Sequence, residues 1–273
     1  MRRCSSSLMT AIEARIGRSI LRFARLLTAV ACLASAPQAL AAEFTIYSAS
    51  FPRLAEPKGD GASGLYVDLM AQVERKTGHR FIWRFQPWAR AQLSARADPN
   101  GLIANFTRTP EREALYRWVG VVGWGRYAVF VPRKSPAQNL AAMKGMTIGY
   151  LNGSEVQGVL QDRGFKKLEA ANNSESNARK LHLGRIDGWA INMWTGPTIF
   201  VGEGFSLDEL RVLPLNDAWD QWLAGSPQFP AEAAAQIGEA LGKLKQDGTA
   251  RALEAKYWQA MPGMPNPAVA KGS

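Results

Sequence analysis

The apolar positions divide the chain into alternating strands and helices. Tyr66, Leu69, Met70 and Val73 recur at i, i+3, i+4 and i+7, the spacing of one helical face. Gly78 stands where a left-handed glycine closes such a helix. Before it, residues 43–48 are short and β-prone, and a loop carrying Pro52, Pro57, Gly59, Gly61 and Gly64 follows them. Residues 80–85 alternate as a strand, 87–95 read as a short helix and 102–106 as a further strand. Thr109-Pro110-Glu111 reads as a helix start, with a threonine N-cap, proline at the first helical position and an acid near the positive end of the dipole. Residues 124–131 are extended and lead to Pro132, a crossing into a second half.

The second half repeats the alternation. Residues 147–150 read as a strand, and Asn152-Gly153-Ser154 turns into a helix with Val156, Val159 and Leu160 on one face. A short strand lies near Leu168, a helix spans 174–183, and 186–191 form a buried strand. Residues 210–215 lead back, and two helices at 231–247 and 249–258 complete the pattern. Strands alternating with helices predict an α/β protein, with mainly parallel sheets flanked by helices. Two such sheets joined by crossings leave a ligand cleft between lobes, outside the carboxyl ends of the strands. The boundaries read as lobe 1 at 42–130 and 219–262, lobe 2 at 131–218, and a tail at 263–273.

The N-terminus changes the charge. Arg15, Arg18, Arg22 and Arg25 precede a short apolar run through Leu26 and Leu33, and Ala39-Leu40-Ala41 supplies small residues for cleavage. This order predicts a signal peptide over 1–41 and export to the periplasm; lipid anchoring at Cys32 is the alternative. Six of the 33 Lys and Arg and one of the 23 Asp and Glu fall in that segment. The remainder carries 27 against 22, so the net of +10 drops to +5. No run of basic residues remains, which argues against nucleic acid as a partner. Cys4 and Cys32 both precede the cleavage point, so the rest of the chain forms no disulfide. With His79 and His182 as the two histidines, no structural zinc site and no cofactor are expected.

Five segments carry a resemblance. They are Gly64-Leu65-Tyr66-Val67-Asp68-Leu69-Met70, Thr107-Arg108-Thr109-Pro110-Glu111-Arg112, Lys144-Gly145-Met146-Thr147-Ile148-Gly149, Leu183-Gly184-Arg185-Ile186-Asp187-Gly188 and Leu244-Lys245-Gln246-Asp247-Gly248-Thr249. In this order, from about Phe44 to Trp258, the chain resembles the periplasmic solute-binding proteins of the polar-amino-acid transport class, with the type II two-lobed fold. The resemblance implies that Arg112 grips a ligand carboxylate through its planar fork. It implies that Asn105 and Thr107 line the preceding strand end, and that Ser154 touches the ligand from the opposite lobe. Ser154 serves equally well as a helix N-cap. Trp88 and Phe51 match aromatic positions around the ligand, where rings suit flat or cationic groups; core packing is the other reading of Trp88. Arg90, beside Trp88 on the same helix, is a second anionic contact or a surface arginine. One departure stands out: Asn192 occupies the position where amino-acid receptors carry an acid for the ligand ammonium, which puts an ordinary amino acid in doubt.

The expected function is a solute receptor that captures a small polar, carboxylate-bearing ligand by lobe closure. It would act as a monomer and deliver the ligand to the membrane permease of an ABC importer, with hinges near 126–133 and 213–219. A sensory module or a dehydratase-like enzyme on the same scaffold are the alternatives. Glu155 is the one candidate acid or base in the cleft for an enzyme, and without a nucleophile–base pair a non-enzyme is expected. Mass spectrometry of the exported protein should find Ala42 as its first residue; retention of 1–41, or a diacylglycerol on Cys32, contradicts the cleavage reading.

Overall fold

The computed structural model describes residues 41–215 and 217–259, so residues 1–40 of the signal-peptide segment and the tail at 263–273 lie outside it. Two five-stranded sheets organise the chain, with a two-stranded ribbon, β2 (Glu56–Lys58) and β3 (Gly61–Ser63), in the loop before the first helix. The first sheet has the order β4-β1-β5-β12-β6, from β1 (Glu43–Ser48), β4 (Arg80–Phe85), β5 (Gly101–Thr107), β6 (Arg117–Gly125) and β12 (Trp219–Gly225). The second has the order β11-β7-β10-β8-β9, from β7 (Tyr127–Pro132), β8 (Thr147–Leu151), β9 (Lys167–Ala171), β10 (Gly188–Asn192) and β11 (Leu210–Pro214). Helices flank both sheets, giving the two-lobed α/β architecture expected from the alternation.

The two sheets are built alike. Each has three parallel strands, β4, β1 and β5 in one and β9, β8 and β10 in the other. Helices connect them: α1 (Leu65–Thr77) and α2 (Trp88–Ala97) in the first lobe, α3 (Val156–Asp162) and α4 (Ser174–His182) in the second. Parallel neighbours need such crossovers. The antiparallel pairings come from the crossings: β12 runs against β5 and β6, and β7 against β10 and β11. The chain leaves the first sheet at Arg126 and returns between Pro214 and Trp219. The stretch read as one extended crossing at 124–131 is therefore two strands in different sheets. The helix expected from Thr109 is a 3-10 turn, Pro110–Leu115, and Thr109 makes no side-chain cap.

Period-two alternation explains the second lobe. Along β7, Ala128 and Phe130 face a core with Leu181, Trp189 and Phe200, whereas Val129 and Val131 face another with Met143, Ile148 and Leu160. Both faces are covered, so β7 reads as a continuous apolar run. The first lobe packs α1, α6 (Ala231–Gln246) and α7 (Thr249–Gln259) around Ile46, Phe106, Ile237 and Leu241. Trp194, just before α5 (Gly196–Gly202), crosses into this core and meets Trp124 at 5.2 Å and Trp258 at 4.7 Å.

One glycine is required by close approach. Gly64 has φ 131, and a Cβ there would lie 2.5 Å from the carbonyl oxygen of Leu54. That carbonyl accepts the Tyr66 N–H at 2.8 Å at the start of α1. Gly64→Ala should reduce the unfolding free energy by about 1–3 kcal/mol, the usual cost of a forced backbone conformation. Urea unfolding checks this, and a change under roughly 0.5 kcal/mol, within the range of a neutral surface substitution, contradicts it.

Candidate functional site

The carboxyl ends of the parallel strands of the two lobes face a small cavity of about 30 Å³, room for a couple of water molecules in this closed arrangement. Phe51, Trp88 and Asn105 line it from the first lobe, and Ser154, Glu155 and Asn192 from the second, with Tyr127 at the crossing. Five of the eight residues singled out from sequence line this space, and Thr107 and Arg112 stand beside it through Glu155, in ways that local structure explains.

Asn105 reaches the cavity through a bulge. Opposite β12 the register shifts between Trp222 and Ala224, so that Ala104 and Asn105 together face Leu223. Asn105 takes φ 57, a conformation asparagine tolerates, and such bulges re-aim a side chain. Its Oδ1 accepts from the hydroxyl of Tyr66 at 3.4 Å. Trp88 begins α2 and is buried against Phe106 and Phe51, with ring centroids 5.9 and 5.1 Å away. It is both core and cavity wall, so the two sequence readings of Trp88 coincide.

Ser154 lines the cavity but is no N-cap. Its hydroxyl donates to the carbonyl of Leu151 at 2.6 Å, and Glu155 holds the cap position of α3 without a side-chain cap bond. Asn192 is buried, and its Oδ1 accepts the Trp194 N–H at 2.8 Å, so its oxygen is engaged locally. Arg90 is exposed on α2 and does not line the cavity.

The centre of the site is Glu155, which the sequence offered only as a candidate acid or base. Its Oε1 accepts the hydroxyl of Tyr127 at 2.6 Å and that of Thr107 in a short contact. Its Oε2 takes Nη1 of Arg112 at 3.5 Å, and both side chains are only 12% exposed. Arg112 also donates to the carbonyl of Thr107 at 3.0 Å, to Oε1 of Gln92 at 3.3 Å and to the carbonyl of Gly153 at 3.4 Å, while lying over the Phe106 ring at 4.1 Å. Its four Nη hydrogens thus match four protein acceptors, and Arg112 does not itself line the cavity. Gln92 adds a bond from Nε2 to the carbonyl of Gly153 at 2.9 Å, and Trp219 Nε1 donates to the Thr107 hydroxyl at 3.1 Å. First-lobe groups therefore clasp one second-lobe turn, Gly153-Ser154-Glu155.

Burial, with the carboxylate of Glu155 beside it, pushes the Tyr127 phenol well above its ordinary value and keeps it a neutral donor. Gln92 and Tyr127 escaped the sequence reading. Gln92 follows Trp88 by one helical turn, and Tyr127 opens the strand after the first crossing; those placements were the available signals.

The profile of the bacterial extracellular solute-binding proteins, family 3, matches residues 47–260. No curated protein sequence matches the chain. Among solved structures, it is similar to a histidine kinase sensor domain described as resembling periplasmic binding proteins. The identity is 20% and the TM-score 0.71, over 81% of this chain and 96% of that one. The substrate binding protein of an amino acid ABC transporter matches at 19% identity and a TM-score of 0.68, covering 80% and 99% of the two chains. An ABC uptake transporter substrate binding protein from Streptococcus pneumoniae, with bound histidine, matches at 19% identity and 0.70, covering 80% and 92%. At these identities the likeness to the solved structures is one of fold.

The raised Tyr127 carries a pH consequence. Below about pH 10 the phenol is neutral in both states; above it the unfolded chain ionises first, so stability falls as pH rises. Urea unfolding between pH 9 and 11 should show this decline. Tyr127→Phe should make it shallower above pH 10, by an amount that approaches about 1.4 kcal/mol per pH unit, the value for one proton. Equal slopes in both proteins contradict the assignment.

Proposed function

Because the chain belongs to the bacterial extracellular solute-binding proteins, family 3, we propose that it is a periplasmic receptor that captures a small polar solute between its lobes and passes it to the permease of an ABC importer. The observation that carries this reading is the bonding across the cleft. Gln92, Thr107 and Arg112 of the first lobe all bond to the turn Gly153-Ser154-Glu155 of the second, directly beside the aromatic-walled cavity. Such a set of contacts makes and breaks as a unit when two lobes close about crossing strands. The crossings at Arg126 and between Pro214 and Trp219 are the natural hinges, with lobe 1 at 42–130 and 219–262 and lobe 2 at 131–218, as read from sequence. The strand Tyr127–Pro132 pairs within the second sheet, so in this scheme lobe 2 begins at Tyr127 and not at 131.

Arg112 has a definite part in this mechanism. It ties the second-lobe turn to the first lobe through Glu155, so a solute carboxylate could reach it only by displacing Glu155. The sensor reading draws support from the likeness to the histidine kinase sensor domain, and it uses the same closing cleft with a different protein partner.

A thermal-shift screen of carboxylates, amino acids and polyamines should find a compound that stabilises the folded protein by mass action. Small-angle scattering with that compound should show a smaller radius of gyration with unchanged circular dichroism. An unchanged scattering curve at saturation contradicts capture by lobe closure.

A further inference from the structure

The charge of the solute follows from which side chains actually face the cavity. Among the described residues, Glu155 is the one carboxylate lining it, and no Lys, Arg or His lines it. Arg112 stands behind Glu155, its Nη hydrogens matched by Thr107, Gln92, Gly153 and Glu155 itself. A carboxylate offers about four lone-pair sites. Three are taken, by Thr107, Tyr127 and Arg112, and the Arg112 contact is the longest of them at 3.5 Å. One acceptor site on Glu155 is left for a group in the cavity.

We propose that Glu155 is the specificity-determining residue of this cleft, and that the group the cavity encloses is a small cation, an ammonium or a similar donor, held by Glu155 and walled by Trp88, Phe51 and Tyr127. This rests on the receptor reading and gives it a substrate class. Three features converge on it. An anion in the cavity would meet the Glu155 carboxylate with no facing cation to compensate it, whereas a cation would fill the remaining acceptor site. The rings suit a cation, because aromatic faces carry negative potential. Asn192, with its oxygen engaged by the Trp194 N–H, adds no charge of either sign. The counter-ion therefore sits on the turn that opens α3 and not at the end of β10.

Small matched probes decide the matter: ethylammonium chloride against sodium acetate, each compared with sodium chloride at equal ionic strength, on the purified full chain. Fragments of three or four heavy atoms bind at best in the range from tens of micromolar to about half a millimolar, so the titration starts there and runs through millimolar. Ethylammonium should raise the melting temperature of the wild type saturably and acetate should not. Glu155→Gln, which keeps the shape and removes the charge, should weaken the ethylammonium response at least tenfold. The inference is overturned if acetate stabilises the wild type, if Glu155→Gln keeps the ethylammonium response, or if neither probe gives a saturable shift. Should Glu155→Gln fail to fold, the wild-type comparison alone decides. The receptor reading is judged separately: acetate, or any other compound from the screen, that contracts the scattering envelope leaves capture by closure standing and removes only the charge assignment.

Discussion

The carboxylate of Glu155 is the group on which the cleft depends. It is almost out of solvent, and a charge there is tolerable only because Thr107, Tyr127 and Arg112 all donate to it. Removing one partner of such a buried pair typically costs about 3–5 kcal/mol, because the other charge is left uncompensated. That is a large share of the roughly 5–15 kcal/mol by which a domain is stable. The donors come from the first sheet, from the 3-10 turn after it and from the crossing, while the acceptor opens a helix of the second lobe. One side chain therefore sets how the strand ends of the two lobes face each other.

The rest of the architecture serves to hold those donors still. Thr107 ends β5, which is paired on both sides, and Trp219 from the returning strand bonds to the same hydroxyl. Arg112 lies on the face of Phe106, which packs in turn against Trp88, Tyr116 and Trp118. Tyr127 is the first residue after the crossing at Arg126, so its position is tied to the segment that must flex when the lobes move. Burial and the neighbouring carboxylate keep its phenol neutral, and so it remains a donor to Glu155 across the ordinary pH range.

A neutral asparagine at position 192 and an acid at position 155 belong together in this scheme. Asn192 completes a local turn through Trp194, whose indole ring reaches into the first-lobe core between Trp124 and Trp258. The end of β10 thus joins the lobes on the hinge side by apolar packing. The acid on the α3 turn joins them on the cavity side by charge. The division is physically sensible, because apolar contact persists through small rotations whereas charge-assisted bonds are lost over an ångström or two.

What the sequence determined by itself is what depends on local chemistry. Helical spacing and a terminal glycine defined α1, alternation defined β4, and the order of five segments identified the two-lobed architecture, since each signal is written in neighbouring residues. Phe51, Trp88, Asn105, Thr107, Arg112, Ser154 and Asn192 were expected from the resemblance, and all but Arg90 of the candidates lie at or beside the cavity. Tertiary structure decided the partners. β12, most of β6 and α5 carry no clean local period, and their places come from pairing with distant strands. The fork of Arg112 was legible as a carboxylate holder, but the carboxylate it holds lies 43 positions away on the other lobe. Only folding brings that acid to the arginine, because the distance between them is closed by two sheets and a crossing and not by any spacing along the chain.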